Sequence, residues 1–266
     1  MEPVADKESP SLTNSSPEAT VSLGTDWQHR VRTTWVDLKA GSPVFPFDGR
    51  DLRAAEQYRI IRTKILQHPS PLYIIAISSP QMGDGKSVTA VNVAGALALR
   101  NEISVLLIDA DFRRSSLAGL FDVPASPGLT EVLSGETSLE EAIMSLQIGA
   151  TKLYFLSAGR RTKNPAELLG SNRWTLVCAQ IRKCFDYCII DTPPVGVVAD
   201  YDLIQPAADG VVLVVRPDHT NRKHCLIALQ SIPKEKLIGV ITNCVPDWFL
   251  ARSRSHDYSY YRGTND

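Results

Sequence analysis

Ser78-Ser79-Pro80-Gln81-Met82-Gly83-Asp84-Gly85-Lys86-Ser87 follows the apolar run from Leu72 to Ile77 and leads into a helical pattern with Val88, Val91 and Leu97 on one side. A strand, a glycine turn and a helix in that order make a phosphate-binding loop. Gly83 and Gly85 allow consecutive backbone N–H groups to face an anion, and the free N–H groups of the helix start add partial positive charge. Lys86 can reach the outer phosphates of a nucleotide and Ser87 can ligate magnesium. The strict pattern G-x-x-x-x-G-K-[ST] asks for glycine where Pro80 stands, so the loop alone is an incomplete match.

Two further segments complete the picture. Asp109 ends the apolar run Val105 to Ile108, and Asp191 ends the run from Tyr187 to Ile190. Parallel strands share polarity, so both carboxylates are expected at the carboxyl edge of one sheet, where ligands of such sheets bind. Asp111, two residues beyond Asp109, reaches the same cleft if the chain stays extended. Carboxylates beside Ser87 would hold the magnesium that a polyphosphate carries, which points to Mg-ATP chemistry with Ser87, Asp109, Asp111 and Asp191 as the metal set.

The rest of the chain fits one large domain. It has 266 residues, 44% of them apolar and 21% charged, with a formal net charge of −1. Near neutrality gives no case for a nucleic-acid partner. Cys178, Cys184, Cys188, Cys225 and Cys244 fall mostly in apolar patterns without close metal-ligand spacing, so reduced core thiols are expected. No apolar run is long enough to cross a bilayer, and Glu2, Asp6, Lys7 and Glu8 do not suit a signal sequence, so a cytoplasmic chain is expected. Residues 1–50, with prolines among Ser and Thr, read as a flexible arm whose Trp27, Trp35, Phe45 and Phe47 can dock on a partner or on the domain.

Residues 51–246 form the expected domain, and 247–266 a flexible tail. A helix to Gln67 is followed by patterns at 72–77, 86–100, 104–108, 152–156, 166–184, 187–190, 211–215, 220–231 and 238–241. Their alternation predicts an α/β three-layer sandwich with a mostly parallel central sheet and right-handed crossovers. On the opening helix, Glu56, Arg59 and Arg62 span an arc of about 120°. That strip suits either pairing with acids of another subunit or a solvated face. His29, His68, His219, His224 and His256 read as surface or capping residues. Asn243, after the run ending at Ile241, suits either a place near a nucleotide base or a turn.

Together these segments resemble the bacterial protein-tyrosine kinases of capsule and exopolysaccharide biosynthesis, over about residues 50 to 262. Gly83-Asp84-Gly85-Lys86-Ser87 matches that family's Walker A core, with Val88 next in the nucleotide-contacting segment. Leu107-Ile108-Asp109-Ala110-Asp111-Phe112-Arg113-Arg114 matches its A-prime segment, and Ile189-Ile190-Asp191-Thr192-Pro193-Pro194 its Walker B. Glu56, Arg59 and Arg62 match its E-x-x-R-x-x-R oligomerisation motif, and Asn164-Pro165-Ala166-Glu167-Leu168-Leu169 a further recurring segment. Ser115 stands where proline is common, and Arg160 to Lys163 replaces a proline-rich approach to Asn164.

The resemblance implies a P-loop NTPase-like fold and ATP-dependent phosphorylation of tail tyrosines, here Tyr258, Tyr260 and Tyr261, on a neighbouring subunit of a ring-like homo-oligomer. Lys86 and magnesium would clamp the transferring group, and Asp109 or Asp111 would accept the phenol proton. It also implies a separate membrane polysaccharide copolymerase as activator, which would recruit the chain to the inner face of the membrane, and a cognate tyrosine phosphatase. Two other readings compete. One is a ParA- or MinD-like ATPase switch, although such proteins carry a signature lysine where Gln81 stands here. The other is an ATP-binding assembly protein without kinase activity.

Overall fold

A computed structural model describes residues 21–24, 26–39, 42–44, 52–100 and 102–245. Alternation in five strands sets the architecture. In β2 (Ile74–Ser78), Ile74 and Ala76 face one hydrophobic layer while Ile75 and Ile77 face the other. The same division holds in β3 (Val105–Asp109), β5 (Thr151–Leu156), β6 (Tyr187–Asp191) and β7 (Gly210–Val215). A strand buried on both faces needs a cover on each side, and helices supply both.

One cover is α3 (Lys86–Ala98), whose Ala90, Val91, Val93, Ala94 and Leu97 pack with Tyr58 and Ile65 of α2 (Leu52–Leu66). α4 (Leu117–Phe121) adds Phe121, edge-on to Phe155 with centroids 5.4 Å apart. The opposite cover includes α5 (Leu129–Ser134), α6 (Leu139–Ala142), α7 (Pro165–Leu169), α8 (Asn172–Cys184) and α9 (Ala199–Ile204), with Trp174, Val177, Ile181 and Tyr201 in the core. Cys178 and Cys188 are buried there, Cys184 and Cys225 are half-buried, and Cys244 is exposed.

Among the described residues the sheet has eight strands in the order β1-β4-β5-β3-β6-β2-β7-β8, where β1 is Arg32–Trp35, β4 Met144–Ile148 and β8 Leu237–Thr242. Every pairing is parallel except β4 with β5. The expected three-layer sandwich with a mostly parallel sheet is the fold found.

Three details differ from the sequence reading. Part of the segment expected as a flexible arm belongs to the domain: after α1 (Trp27–Arg30), β1 extends the sheet beside β4. Trp27 is 4% exposed and stacks near Tyr154 and Phe185, at 5.0 and 4.8 Å between centroids, whereas Trp35 is 77% exposed. The helix expected over 166–184 is two helices, because α7 ends at Gly170 and Ser171 turns to an extended backbone while its hydroxyl donates to the Leu168 carbonyl. β4 has no counterpart among the predicted elements.

Candidate active site

The sheet order places β3, β6 and β2 side by side, so the ends of three apolar runs converge. Asp109 and Asp191 lie in register on adjacent parallel strands, and Ile77 pairs with Asp191 from the other side. The 79–86 turn leaves β2 at this edge. Gly83 and Gly85 take φ of 86° and 95°, the left-handed region where a side chain would strain the backbone. A Cβ on Gly85 would also collide with the Asn243 side chain, whose amide donates to the Asp84 carbonyl at 3.0 Å. Asn243 therefore braces the turn. With Gly85 as its N-cap, α3 has no side-chain cap, and the amides of its first turn lack intrahelical partners.

Lys86 gathers the three segments. Its ammonium lies 2.8 Å from Asp111 Oδ2, 3.2 Å from Asp191 Oδ1 and 3.2 Å from Ser87 Oγ. All three charged groups are buried, the lysine side chain 10% exposed and the carboxylates 5% and 1%. Burial alone would lower the Lys86 pKa, but the charges of Asp191 and Asp111 outweigh it and raise the value. Asp191 is pushed up by burial, with the Lys86 charge and a Ser87 hydrogen bond opposing.

Asp109 serves a different purpose within the same cluster. Oδ2 accepts the amides of Ser116 and Leu117, both at 3.1 Å, and Oδ1 accepts the Asp111 amide at 3.2 Å. These bonds cap α4 and hold the turn after β3. Burial, and then the Asp191 charge, push its carboxyl up to about 7. Asp111 accepts the Arg114 amide at 3.0 Å, and Arg113 forms a two-point ion pair with the fully buried Asp200 at 2.8 and 3.1 Å.

The donor set suits a magnesium-bound polyphosphate: glycine-loop amides, one ammonium, one hydroxyl and carboxylates. Among the described residues, no group of three or more His, Cys, Asp or Glu could hold a metal ion on its own. Magnesium commonly binds through one or two carboxylates, waters and substrate phosphates, so this set still fits it.

Gly83, Asp84, Gly85, Lys86, Ser87, Asp109, Asp111, Asp191 and Asn243 thus come together, and Val88 follows within α3. Glu56, Arg59 and Arg62 lie on α2, away from that cluster: Arg59 pairs with Glu56 at 3.0 Å, and Arg62 donates to the Ala96 carbonyl. Tyr258, Tyr260 and Tyr261 lie outside the described residues. His219, read from sequence as a surface or capping residue, lies against the phosphate loop with Nδ1 2.9 Å from Asp84 Oδ1. No spacing could signal a contact across 135 residues.

This fold and site define a P-loop nucleotide-binding protein. A family described as AAA domain matches residues 72–231. The tyrosine-protein kinase YwqD of Bacillus subtilis is 35% identical over 216 residues, 80% of this chain and 87% of its own length. The tyrosine-protein kinase CpsD of Streptococcus pneumoniae serotype 4 is 34% identical over 194 residues, 72% of this chain and 84% of its own. Among solved structures, the chimerical protein CapA2B2 superposes with a TM-score of 0.72 at 29% identity, covering 80% of this chain and 93% of that one. The chain belongs to the bacterial tyrosine-protein kinase family. That family implies ATP binding, and it disfavours the ATPase-switch reading.

Proposed function

We propose that this chain is an ATP-dependent tyrosine autokinase that phosphorylates Tyr258, Tyr260 or Tyr261 of a neighbouring subunit and thereby regulates capsular or exopolysaccharide synthesis and export. The observation that carries this reading is the Lys86 ammonium held between Asp111 and Asp191 beside Ser87, at the start of a helix with no side-chain cap.

The loop amides of residues 83–88 and the α3 N-terminus bind the phosphates of ATP, and Lys86 neutralises charge on the transferring group. Ser87 and the carboxylates of Asp111 and Asp191 would hold magnesium, with Asp109 behind them. Bound there, magnesium would supply charge neutralisation on the phosphate oxygens. A phenol is a weak nucleophile at neutral pH and needs a proton acceptor. Asp109 takes that role: its carboxyl near 7 matches the working pH, and among the described residues Oδ1 accepts a single amide bond, from Asp111. Asp111, 2.8 Å from Lys86, would be taken up by the ammonium and the magnesium rather than by the phenol proton. Asn243, directly after β8, donates to the Asp84 carbonyl of the phosphate loop and would face the nucleotide base.

Supply of the tail by a second copy requires an oligomer, and we assign its contact to Glu56, Arg59 and Arg62 on α2, forming a ring-like assembly. Among the described residues no helix is long and apolar enough to cross a membrane. Recruitment to the inner membrane face we assign to a separate copolymerase-type activator, and resetting of the tail to a tyrosine phosphatase. Incubation with Mg-ATP and the activator's cytoplasmic segment, followed by intact-mass measurement and peptide mapping, tests the reading. One or more phosphates on the tail are expected, abolished by Asp109→Asn and reduced by Asp111→Asn. ATP turnover without phosphotyrosine would overturn it.

A further inference from the structure

We infer that the segment linking β7 to α10 (Arg222–Ser231) is a clasp that fixes the shape of the phosphate loop, and that His219 is its positioning residue. The inference rests on the nucleotide-site reading above and adds residues that no motif in this chain marks.

Asp84 is the point of attachment. Its side chain is fully buried, within a loop that would hold a polyanion. A carboxylate facing that polyanion would repel it, so it must be turned away and satisfied elsewhere. The clasp does this. Oδ1 receives His219 Nδ1 at 2.9 Å and the Thr220 hydroxyl at 2.7 Å, and Oδ2 receives the Gln81 amide at 3.1 Å.

Gln81 forms the second attachment. Its Oε1 accepts the Asn221 amide at 3.2 Å, which fixes the orientation of the side-chain amide and leaves Nε2 to donate to the His219 carbonyl at 2.9 Å. His224 Nδ1, one turn into α10, also lies 3.2 Å from Oε1. Gln81 Nε2 also lies 3.2 Å from His219 Nδ1, but the Asp84 carboxylate can only accept, so the hydrogen on Nδ1 is directed to Asp84 at 2.9 Å. The ring then packs on Gly83, where a Cβ would come within 3.1 Å of His219 Cε1. Both ends of the loop before Lys86 are thus tied to one neighbouring segment, at Gln81 and at Asp84.

A loop held by two anchors presents its amides without first paying ordering entropy, which is how preorganisation raises affinity. Freed at Asp84, the loop loses that advantage and its buried carboxylate turns toward the phosphates. His219→Ala is expected to raise the dissociation constant for Mg-ATP by about tenfold, the loss of one hydrogen bond to a charged group. His219→Asn, whose side-chain N–H can occupy the place of Nδ1, is expected to recover most of that affinity.

The experiment is isothermal titration of Mg-ATP into wild type, His219→Ala, His219→Asn, Asp84→Asn and the double variant His219→Ala/Asp84→Asn, each with its melting temperature. Lys86→Met serves as control for the site itself. The clasp predicts that His219→Ala weakens binding about tenfold while the melting temperature of the free protein falls by only the few degrees that the loss of one hydrogen bond brings. It also predicts that the two single effects do not add in the double variant. Additive effects, no rescue by asparagine, or unchanged affinity in His219→Ala would overturn the clasp while a weakened Lys86→Met kept the site. Unchanged affinity in Lys86→Met as well would overturn the nucleotide site.

Discussion

Replacing Lys86 by methionine should make stability depend on pH in a way that only this cluster produces. The substitution removes an ammonium 2.8 Å from Asp111 and 3.2 Å from Asp191, leaving two nearly inaccessible carboxylates without their cation. Breaking a buried pair from one side costs about 3–5 kcal/mol, most of it from the charge left behind. That cost requires the acids to be ionised. Asp191 already has a pKa above its ordinary 3.8, and Asp109 sits at about 7. A carboxyl raised in the folded state binds more protons folded than unfolded, so stability falls as pH rises through the window from about 4 to 7. Each such group contributes a slope of up to about 1.4 kcal/mol per pH unit. Without Lys86 the Asp191 value climbs further, and the decline continues past the pH at which wild type levels off. The lysine itself has a raised value, so its contribution is intact below about 10 and does not vary across the assay. Urea unfolding of both free proteins from pH 5 to 8 should show a deficit that grows with pH and reaches about 3–5 kcal/mol at pH 8. A deficit independent of pH, or none, would refute the burial and pairing on which the argument stands.

Alanine at Glu56, Arg59 and Arg62 together should shift stability by no more than about 1–2 kcal/mol, since the Glu56–Arg59 pair is exposed and Arg62 gives up one hydrogen bond to the Ala96 carbonyl. Light scattering should nevertheless show loss of the oligomer, with tail phosphorylation falling in parallel and ATP affinity kept. Ser87→Ala should raise the magnesium concentration needed for half-maximal activity while leaving the melting temperature of the free protein within about 2 °C. Arg182→Ala should destabilise by about 1–3 kcal/mol, because Asp209 accepts two Arg182 bonds at 2.8 Å as well as the Tyr73 and Ile74 amides. Burial raises the Asp209 value, but these bonds bring it below the ordinary 3.8. Its stabilisation is therefore present above about pH 4 and lost as pH falls through the lower folded value, so chemical denaturation should find the two proteins converging in acid.

Continuous apolar runs made the central strands legible: Val105 to Ile108 and Tyr187 to Ile190 have the composition of strands buried on both faces, and each ends in a carboxylate that the sheet brings into register. The outer strands carried weaker signals. Met144-Ser145-Leu146-Gln147-Ile148 does alternate, but it is short and follows α6, itself announced only by the capping box of Ser138 and Glu141. Arg32-Thr33-Thr34-Trp35 has no buried face to impose a pattern, so only its partner β4 makes it a strand. At the site, local motifs gave Lys86, Ser87 and the three acids. Three features lay beyond them: the pairing of Lys86 with both Asp111 and Asp191, the capping of α4 by Asp109, and the contact of His219 with Asp84. Each depends on which strands become neighbours, and no local window of sequence encodes that.

The most direct test of phosphoryl transfer between subunits mixes two defective chains with Mg-ATP and the activator segment. One lacks residues 257–266 but keeps its nucleotide site, and the other is full-length with Lys86→Met. Peptide mapping should find phosphate on Tyr258, Tyr260 or Tyr261 of the Lys86→Met chain, and only when the truncated partner is present. A tail that stays unmodified in the mixture, while wild type alone becomes phosphorylated under the same conditions, would contradict transfer between subunits.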